Sequence, residues 1–291
     1  MGSIQELRNR IKTIKSTQKI TKAIKMVATV RLKKAQTALE VSRRLPSRLE
    51  ELWNNLLTMP DFETNHPLIS PKQVLNKITL LVITSDQGLC GGFNTLIIQR
   101  AREFLLSKFK DKKIYLMSIG NKGNEAFKYH KIPIQKKYDD FFEAYSLDKV
   151  SSLVQELSNQ IINGDSDSVY IIYTKLGLSY RTSIELEQIL PLTINTVEVP
   201  ETKGMKKNWL VEPSLNDVIT KVCEMFLVSE LHRIFQESLS CEQLARMQAM
   251  ESATKNADET LQDLNILFNK TRQELITREM LEVISGTESL E

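Results

Sequence analysis

Apolar residues at the start of the chain fall at Ile4, Leu7, Ile11 and Ile14. This 3-4-3 spacing predicts a helix with one narrow contact stripe. The same heptad next reaches Gln18 and Thr21, where the seam turns polar. Ile20, Ile24 and Val27 carry an apolar stripe onward at a shifted phase, so the contact face is expected to drift or to change partner. No Gly or Pro interrupts Ser3 to Leu45, a helix of roughly 65 Å at helical rise. Pro46 is expected to kink or end it, with Leu49, Trp53 and Leu56 continuing a helical pattern beyond.

The other end is longer. Ser214 to Ser285 again holds no Gly and no Pro, which predicts a helix of roughly 110 Å. Pro213 and Ser214 give its start, and Asp217 three residues on resembles a capping box with a shorter acid. Gly286 is expected to stop it. Met247, Met250, Thr254, Ala257, Leu261, Leu264, Phe268, Thr271 and Leu275 alternate in steps of three and four. That is a heptad seam with small residues in its middle. Two helices of this length in one chain point to a coiled-coil pair.

Between them the texture changes. Lys77 to Thr84 is a near-continuous apolar run, as a buried parallel strand requires. The pattern then predicts a helix over 94–110, a strand over 113–119 and a short helix over 123–129. A helix over 147–162 and strands over 168–174 and 179–188 follow. Strands alternating with helices imply a small α/β layer domain. The segment 191–213, with Pro200 and Gly204, reads as connection. The expected division is an N-terminal coiled-coil helix over 1–58, an α/β domain over 67–212 and a C-terminal coiled-coil helix over 213–286.

Charge strengthens the pairing. The net charge is only +3, yet the first 45 residues hold 12 Lys or Arg against 2 Glu. From residue 214 onward there are 7 Lys or Arg against 14 Asp or Glu. A basic helix and an acidic helix in one chain attract each other. This argues against reading the basic arm as a nucleic-acid footprint. No apolar run approaches the roughly 18–20 residues of a membrane span, so any membrane association is expected through partners. Met1 to Arg10 leads into charged helix with no apolar leader segment. Cys90, Cys223 and Cys241 are scattered, without metal-ligand spacing, and suggest a reducing compartment.

Candidate chemistry is sparse. Ser85-Asp86-Gln87-Gly88-Leu89-Cys90-Gly91-Gly92-Phe93-Asn94 lies between a strand and a helix, where open α/β sheets bind ligands. It lacks both G-x-G-x-x-G spacing and the Gly-Lys-Ser/Thr of a phosphate loop, so a tight turn is the favoured reading. Cys90 would need an activating base, and His66, His130 and His232 are not placed by sequence to supply one. His232 sits among Leu231 and Ile234 and reads as packed or solvated. Glu251, Asp258, Glu259 and Asp263 read as a solvated helix face. No catalytic, cofactor-binding or metal site is expected. The alternatives left open by the residues are a coiled-coil scaffold and a nucleotide-binding α/β enzyme with helical extensions.

Ile20 to Ala28, Ser85 to Asn94, Ala245 to Ala257, Asn269 to Thr277 and Glu282 to Gly286 resemble, in order, motifs of the γ subunit family of F-type ATP synthases. The resemblance implies that the terminal helices form an antiparallel coiled coil inside a ring of α and β subunits. A central Rossmann-like α/β domain would lie outside the ring, against the ε subunit and the c-ring. It implies a proton-driven rotor shaft on the cytoplasmic face of a bacterial inner membrane, without enzymatic activity of its own. Arg272, Gln273 and Thr277 match the stretch that hydrogen-bonds a β-subunit loop, and Arg246 matches a neighbouring coupling position. Two departures stand out: Ile24 where the family usually has Met, and Gln87 where it usually has Arg. The family's regulatory dithiol insertion has no counterpart here, so no thiol switch is expected.

Overall fold

The computed structural model describes residues 4–43, 49, 53, 66–70, 75–106, 112–143, 145–177, 181–192, 212 and 214–288, with side chains to 285. Ten elements follow in chain order. They are α1 (Ile4–Ser42), β1 (Lys77–Ile83), α2 (Phe93–Leu105), β2 (Lys113–Ile119), α3 (Asn121–Tyr129), β3 (Lys136–Tyr138), α4 (Leu147–Ile162), β4 (Ser168–Leu176), β5 (Thr182–Leu190) and α5 (Leu215–Glu288). Pro46, Leu56 and nearly all of 193–213 lie outside the described residues. The chain forms two compact units, one of residues 1–30 with 246–291 and one of residues 31–245.

The first unit is a pair of antiparallel helices. Gln18 Nε2 donates to Asp258 Oδ1, the hydroxyls of Thr21 and Thr254 lie 2.8 Å apart, and Lys25 Nζ meets Glu251 Oε1 at 2.5 Å. Numbers rise along one helix as they fall along the other, which fixes the direction. The α5 seam follows the predicted heptads as far as Thr271, and Leu275, the last predicted position, is exposed. Met250, Ala257 and Leu264 are buried, and Met247, Thr254, Leu261, Phe268 and Thr271 half-buried.

On α1 the predicted shift of the contact face does not occur. Thr21 and Ala28 are 8% and 1% exposed, whereas Ile20 and Val27 are 56% and 53% exposed. The original heptad runs on because Asp258 and Thr254 satisfy the polar groups in the seam. Two carboxylates assigned to a solvated face, Glu251 and Asp258, therefore meet α1. By this register Ile4 falls opposite the turn at Thr271. Beyond it α5 has no described partner helix, and Leu275, Ile276, Met280 and Leu281 are exposed. The helix also continues through Gly286 to Glu288 instead of stopping there. A single Gly in a helix costs only about 1 kcal/mol relative to Ala.

The second unit is built on a five-stranded sheet of order β3-β2-β1-β4-β5. The first four are parallel and β5 pairs antiparallel with β4. Both faces are covered, as the apolar run of β1 demands. Ile78, Leu80 and Val82 join a cluster with Phe93, Ile97, Ala101 and Phe104 of α2. Leu81 and Ile83 join a second cluster with Val150, Leu153, Val154, Leu157 and Ile161, the inward face of α4. Ser146 caps α4 by accepting from the Lys149 N–H at 3.3 Å. At the start of α5, Ser214 Oγ accepts from the Asp217 N–H at 3.2 Å, the serine half of the predicted capping box, while its hydroxyl donates to Asp217 Oδ2 at 2.6 Å in place of the backbone N–H. The three-residue edge strand β3 has no counterpart in the sequence reading.

The first part of α5 belongs to this unit. Ile219, Cys223, Leu227, Leu231, Ile234 and Phe235 pack into the α4-side cluster, and Cys241 into the α2-side cluster. Phe141, Phe142 and Tyr145 from the segment after β3 close on Phe235, with ring centroids 4.9, 6.0 and 6.2 Å away. Tyr145 also stacks on His232, and its hydroxyl lies 2.6 Å from His232 Nδ1.

Burial lowers the pKa of His232, and of His66, below the ordinary 6.5. A group whose folded pKa is lowered stays unprotonated in the fold while the unfolded chain takes up its proton first. Its stabilisation is therefore complete above pH 6.5 and lost as pH falls. His232→Phe keeps the stack on Tyr145 and removes that titration. Chemical denaturation at several pH values should show a shallower loss of stability between about pH 7 and about pH 5 in the variant. Parallel curves for the two proteins would refute this.

Candidate functional site

In an open α/β sheet the carboxyl ends of the strands form the usual ligand crevice. Here the glycine-containing segment after β1 spends most of its described polar groups on itself and on the segments beside it. The Ser85 N–H donates to Asn94 Oδ1 at 3.0 Å, and Asn94 Nδ2 donates to Ser85 Oγ at 2.8 Å and to Cys90 Sγ at 3.2 Å. Ser85 Oγ bonds the Gln87 carbonyl at 2.7 Å, and the Ser85 carbonyl accepts from the Lys122 N–H at 3.1 Å. Asp86 Oδ2 accepts from the Phe142 N–H at 2.9 Å, while burial raises its carboxyl pKa. Next to this turn, Gly120 has a φ of +96°, and a Cβ there would lie 2.3 Å from the Thr84 carbonyl oxygen. The segment is thus a closely packed turn, as the missing phosphate-loop residues suggested.

From α5, Phe235 and His232 pack against Phe141 and Tyr145 of the segment after β3. None of the three thiols has a histidine in hydrogen-bonding contact among the described residues. His66 is bonded to Thr220, His232 to Tyr145, and His130 is exposed. Burial pushes the Cys223 and Cys241 thiols up to about 12, which makes them inert. No group of three or more His, Cys, Asp or Glu able to hold a metal occurs among the described residues.

The residues singled out for partner contact lie in the first unit and separate into two places on α5. Arg272, Gln273 and Thr277 are exposed on the stretch beyond the seam. Thr277 Oγ1 donates back to the Gln273 carbonyl at 2.9 Å, which holds the hydroxyl against the helix and leaves its lone pairs outward. Arg246 is different: it is only 6% exposed. It sits roughly 39 Å from Arg272 at helical rise, so the four residues do not form one site. Gln87 is exposed and Ile24 half-buried on the seam side of α1.

The sequence reading missed a third feature. From Ile234 to Leu244 every residue but one is buried, including Gln236, Glu237, Ser238, Ser240, Glu242 and Gln243. Polar residues on a helix read as a solvated face, so periodicity gave no warning of it.

Comparison with known proteins is consistent along the whole length. A family model described as ATP synthase matches residues 3–290. The ATP synthase gamma chain of Chlorobaculum tepidum is 34% identical over 294 residues, covering 100% of this chain and 99% of the relative. That of Prosthecochloris aestuarii is 34% identical over 297 residues with the same coverage. Among solved structures, a chain of the Euglena gracilis mitochondrial ATP synthase in an assembly of OSCP, F1 and c-ring superposes with a TM-score of 0.69. It is 20% identical and covers 99% of this chain and 94% of that one. A chain of the Tetrahymena thermophila central stalk and c-ring gives a TM-score of 0.63 at 22% identity, covering 80% and 99%. These structures share the fold. Sequence relatedness over its full length shows that the chain belongs to the ATP synthase gamma-chain family.

Proposed function

We propose that this chain is the central rotor shaft of a proton-driven ATP synthase. In this reading the c-ring of the membrane sector turns the shaft, and the shaft drives the β subunits of the α and β ring through states of different nucleotide affinity. The chain also shapes ATPase activity and proton flow, contacts the ε subunit, and reaches the membrane only through its partners, on the cytoplasmic face of a bacterial inner membrane. Nucleotide chemistry stays with the β subunits. The shaft helices lie in 1–58 and 213–286, and the α/β domain, 67–212, joins the rotor.

The observation that carries this reading is the antiparallel helix pair in which one helix runs on beyond its described partner. An asymmetric rod can bias one subunit of a ring at a time only if its surface is bound differently by each conformation of that subunit. Exposed Arg272, Gln273 and Thr277 supply directional hydrogen-bonding groups on the lone stretch. Family membership and the absence of any helix long and apolar enough to cross a membrane, among the described residues, agree with it.

Arg272→Ala combined with Gln273→Ala should leave the chain folded and lower ATP-driven proton pumping by the assembled complex in membrane vesicles. The loss expected of two charge-assisted contacts is roughly tenfold or more in the pumping rate. Unchanged pumping would remove these residues from the contact. The purified chain alone should neither hydrolyse ATP nor bind it tightly by calorimetry. Turnover that persists after removal of contaminating ATPases would contradict the non-catalytic assignment.

A further inference from the structure

The buried polar stretch of α5 contains a hub. The side chain of Glu237 is 2% exposed and holds two arginines from different helices. Arg43, at the end of α1, donates from its Nη2 to Glu237 Oε1 at 2.9 Å. Arg233, one turn back on α5, donates from its Nη1 to Glu237 Oε2 at 2.8 Å. Arg233 also forks onto Glu230, its Nε lying 3.1 and 3.0 Å from the two carboxylate oxygens. Its positive charge is felt at Tyr173 on β4, where it opposes the rise that burial gives the phenol's pKa. The Tyr173 hydroxyl in turn donates to Glu187 Oε1 on β5 at 3.0 Å, and Lys175 Nζ lies 3.7 Å from the same oxygen. Glu237 thus joins the end of α1 to α5, and Tyr173 with its partner Glu187, on the last two strands, stands beside Arg233.

Buried ion pairs are a poor way to gain stability. Desolvation takes back much of the Coulomb attraction, and apolar residues of similar volume often do as well or better. What such pairs supply is direction. A bidentate carboxylate between two guanidinium groups has one geometry, whereas apolar contacts slide. The neighbouring α1 positions that face inward here are small or smooth, Ala35, Leu39 and Ser42, and offer little to resist sliding. The pair at Arg233 is also electrostatically committed. Burial opposes the guanidinium's charge, yet hydrogen bonds and charge from Glu230, with Glu237 adding to them, raise its pKa above the ordinary value.

We propose that Glu237 is a positioning residue that ties α1, α5 and the sheet into one torsionally stiff joint, through Arg43 on one side and Arg233 with Tyr173 on the other. The proposal rests on the rotor reading, because stiffness matters to function only if torque passes through this joint. In that setting the joint keeps the end of α1, this stretch of α5 and the sheet turning together.

The test uses the assembled complex in vesicles, with ATP hydrolysis and ATP-driven proton uptake measured on the same preparation. Glu237→Gln removes the charge that both arginines share. Arg233→Met with Glu237→Leu replaces the buried pair by apolar volume and leaves Arg43, which is half exposed, free to reach water. This double variant should melt no lower than the parent and still move roughly twofold fewer protons per ATP. Twofold is the low end for coupling within a buried network. Spin labels on exposed Val41 of α1 and exposed Met225 of α5 should report a broader distance distribution in both variants than in the parent. If Glu237→Gln fails to assemble, the double variant decides. A stable double variant with the parent's protons per ATP and the parent's distance distribution would overturn the joint. A parent complex that hydrolyses ATP but pumps no protons would instead overturn the rotor reading itself.

Discussion

The constraint on which the sheet-bearing unit depends is the burial of three turns of α5 on every side. Between Ile234 and Leu244 the helix is closed in although half of its residues are polar. Each buried polar group must find a partner or cost free energy. The partners for the charged groups come from α1 and α5 itself, with Tyr173 of β4 beside them, which is why these elements cannot be rearranged independently. The apolar part of the same helix meets one sheet face through Phe235 and the other through Cys241. The enclosed helix therefore organises the domain, packing into both of its apolar clusters.

The helix pair of the other unit solves a related problem differently. Its seam is interrupted by Gln18, Thr21 and Lys25, which would be liabilities against an apolar partner. They face Asp258, Thr254 and Glu251. Such polar rungs give up stability and in exchange specify direction and register, as a polar residue in a coiled-coil core does. A seam of this kind is only moderately apolar on its remaining surface, yet Ile20, Met26, Val27 and Val30 stay exposed.

Much of this was legible in the sequence, and the limits are physical. The strand over 113–119 and the helix over 147–162 were placed to the residue, because a doubly covered sheet leaves an unbroken apolar run and a one-sided helix leaves a clean stripe. The α5 seam was legible for the same reason. The phase shift on α1 was misread because Gln18 and Thr21 looked like the end of a seam. Their partners lie more than two hundred residues away, where no local pattern can show them. The strand β3 is too short to carry a period. The charged joint around Glu237 was invisible because an enclosed polar helix and a solvated one have the same sequence. For the contact residues, the family resemblance named Arg246 together with Arg272, Gln273 and Thr277. The fold adds that the first is buried and the other three are exposed.

Rotation is the most direct test of the account. The assembled catalytic ring would be fixed to a surface, with a bead attached through Tyr129→Cys on the exposed end of α3. The three native cysteines are buried and would not compete for the label. The account predicts that the bead turns continuously and in one direction when ATP is added and stops when ATP is withdrawn. A bead that stays still while the same immobilised complexes hydrolyse ATP would contradict it.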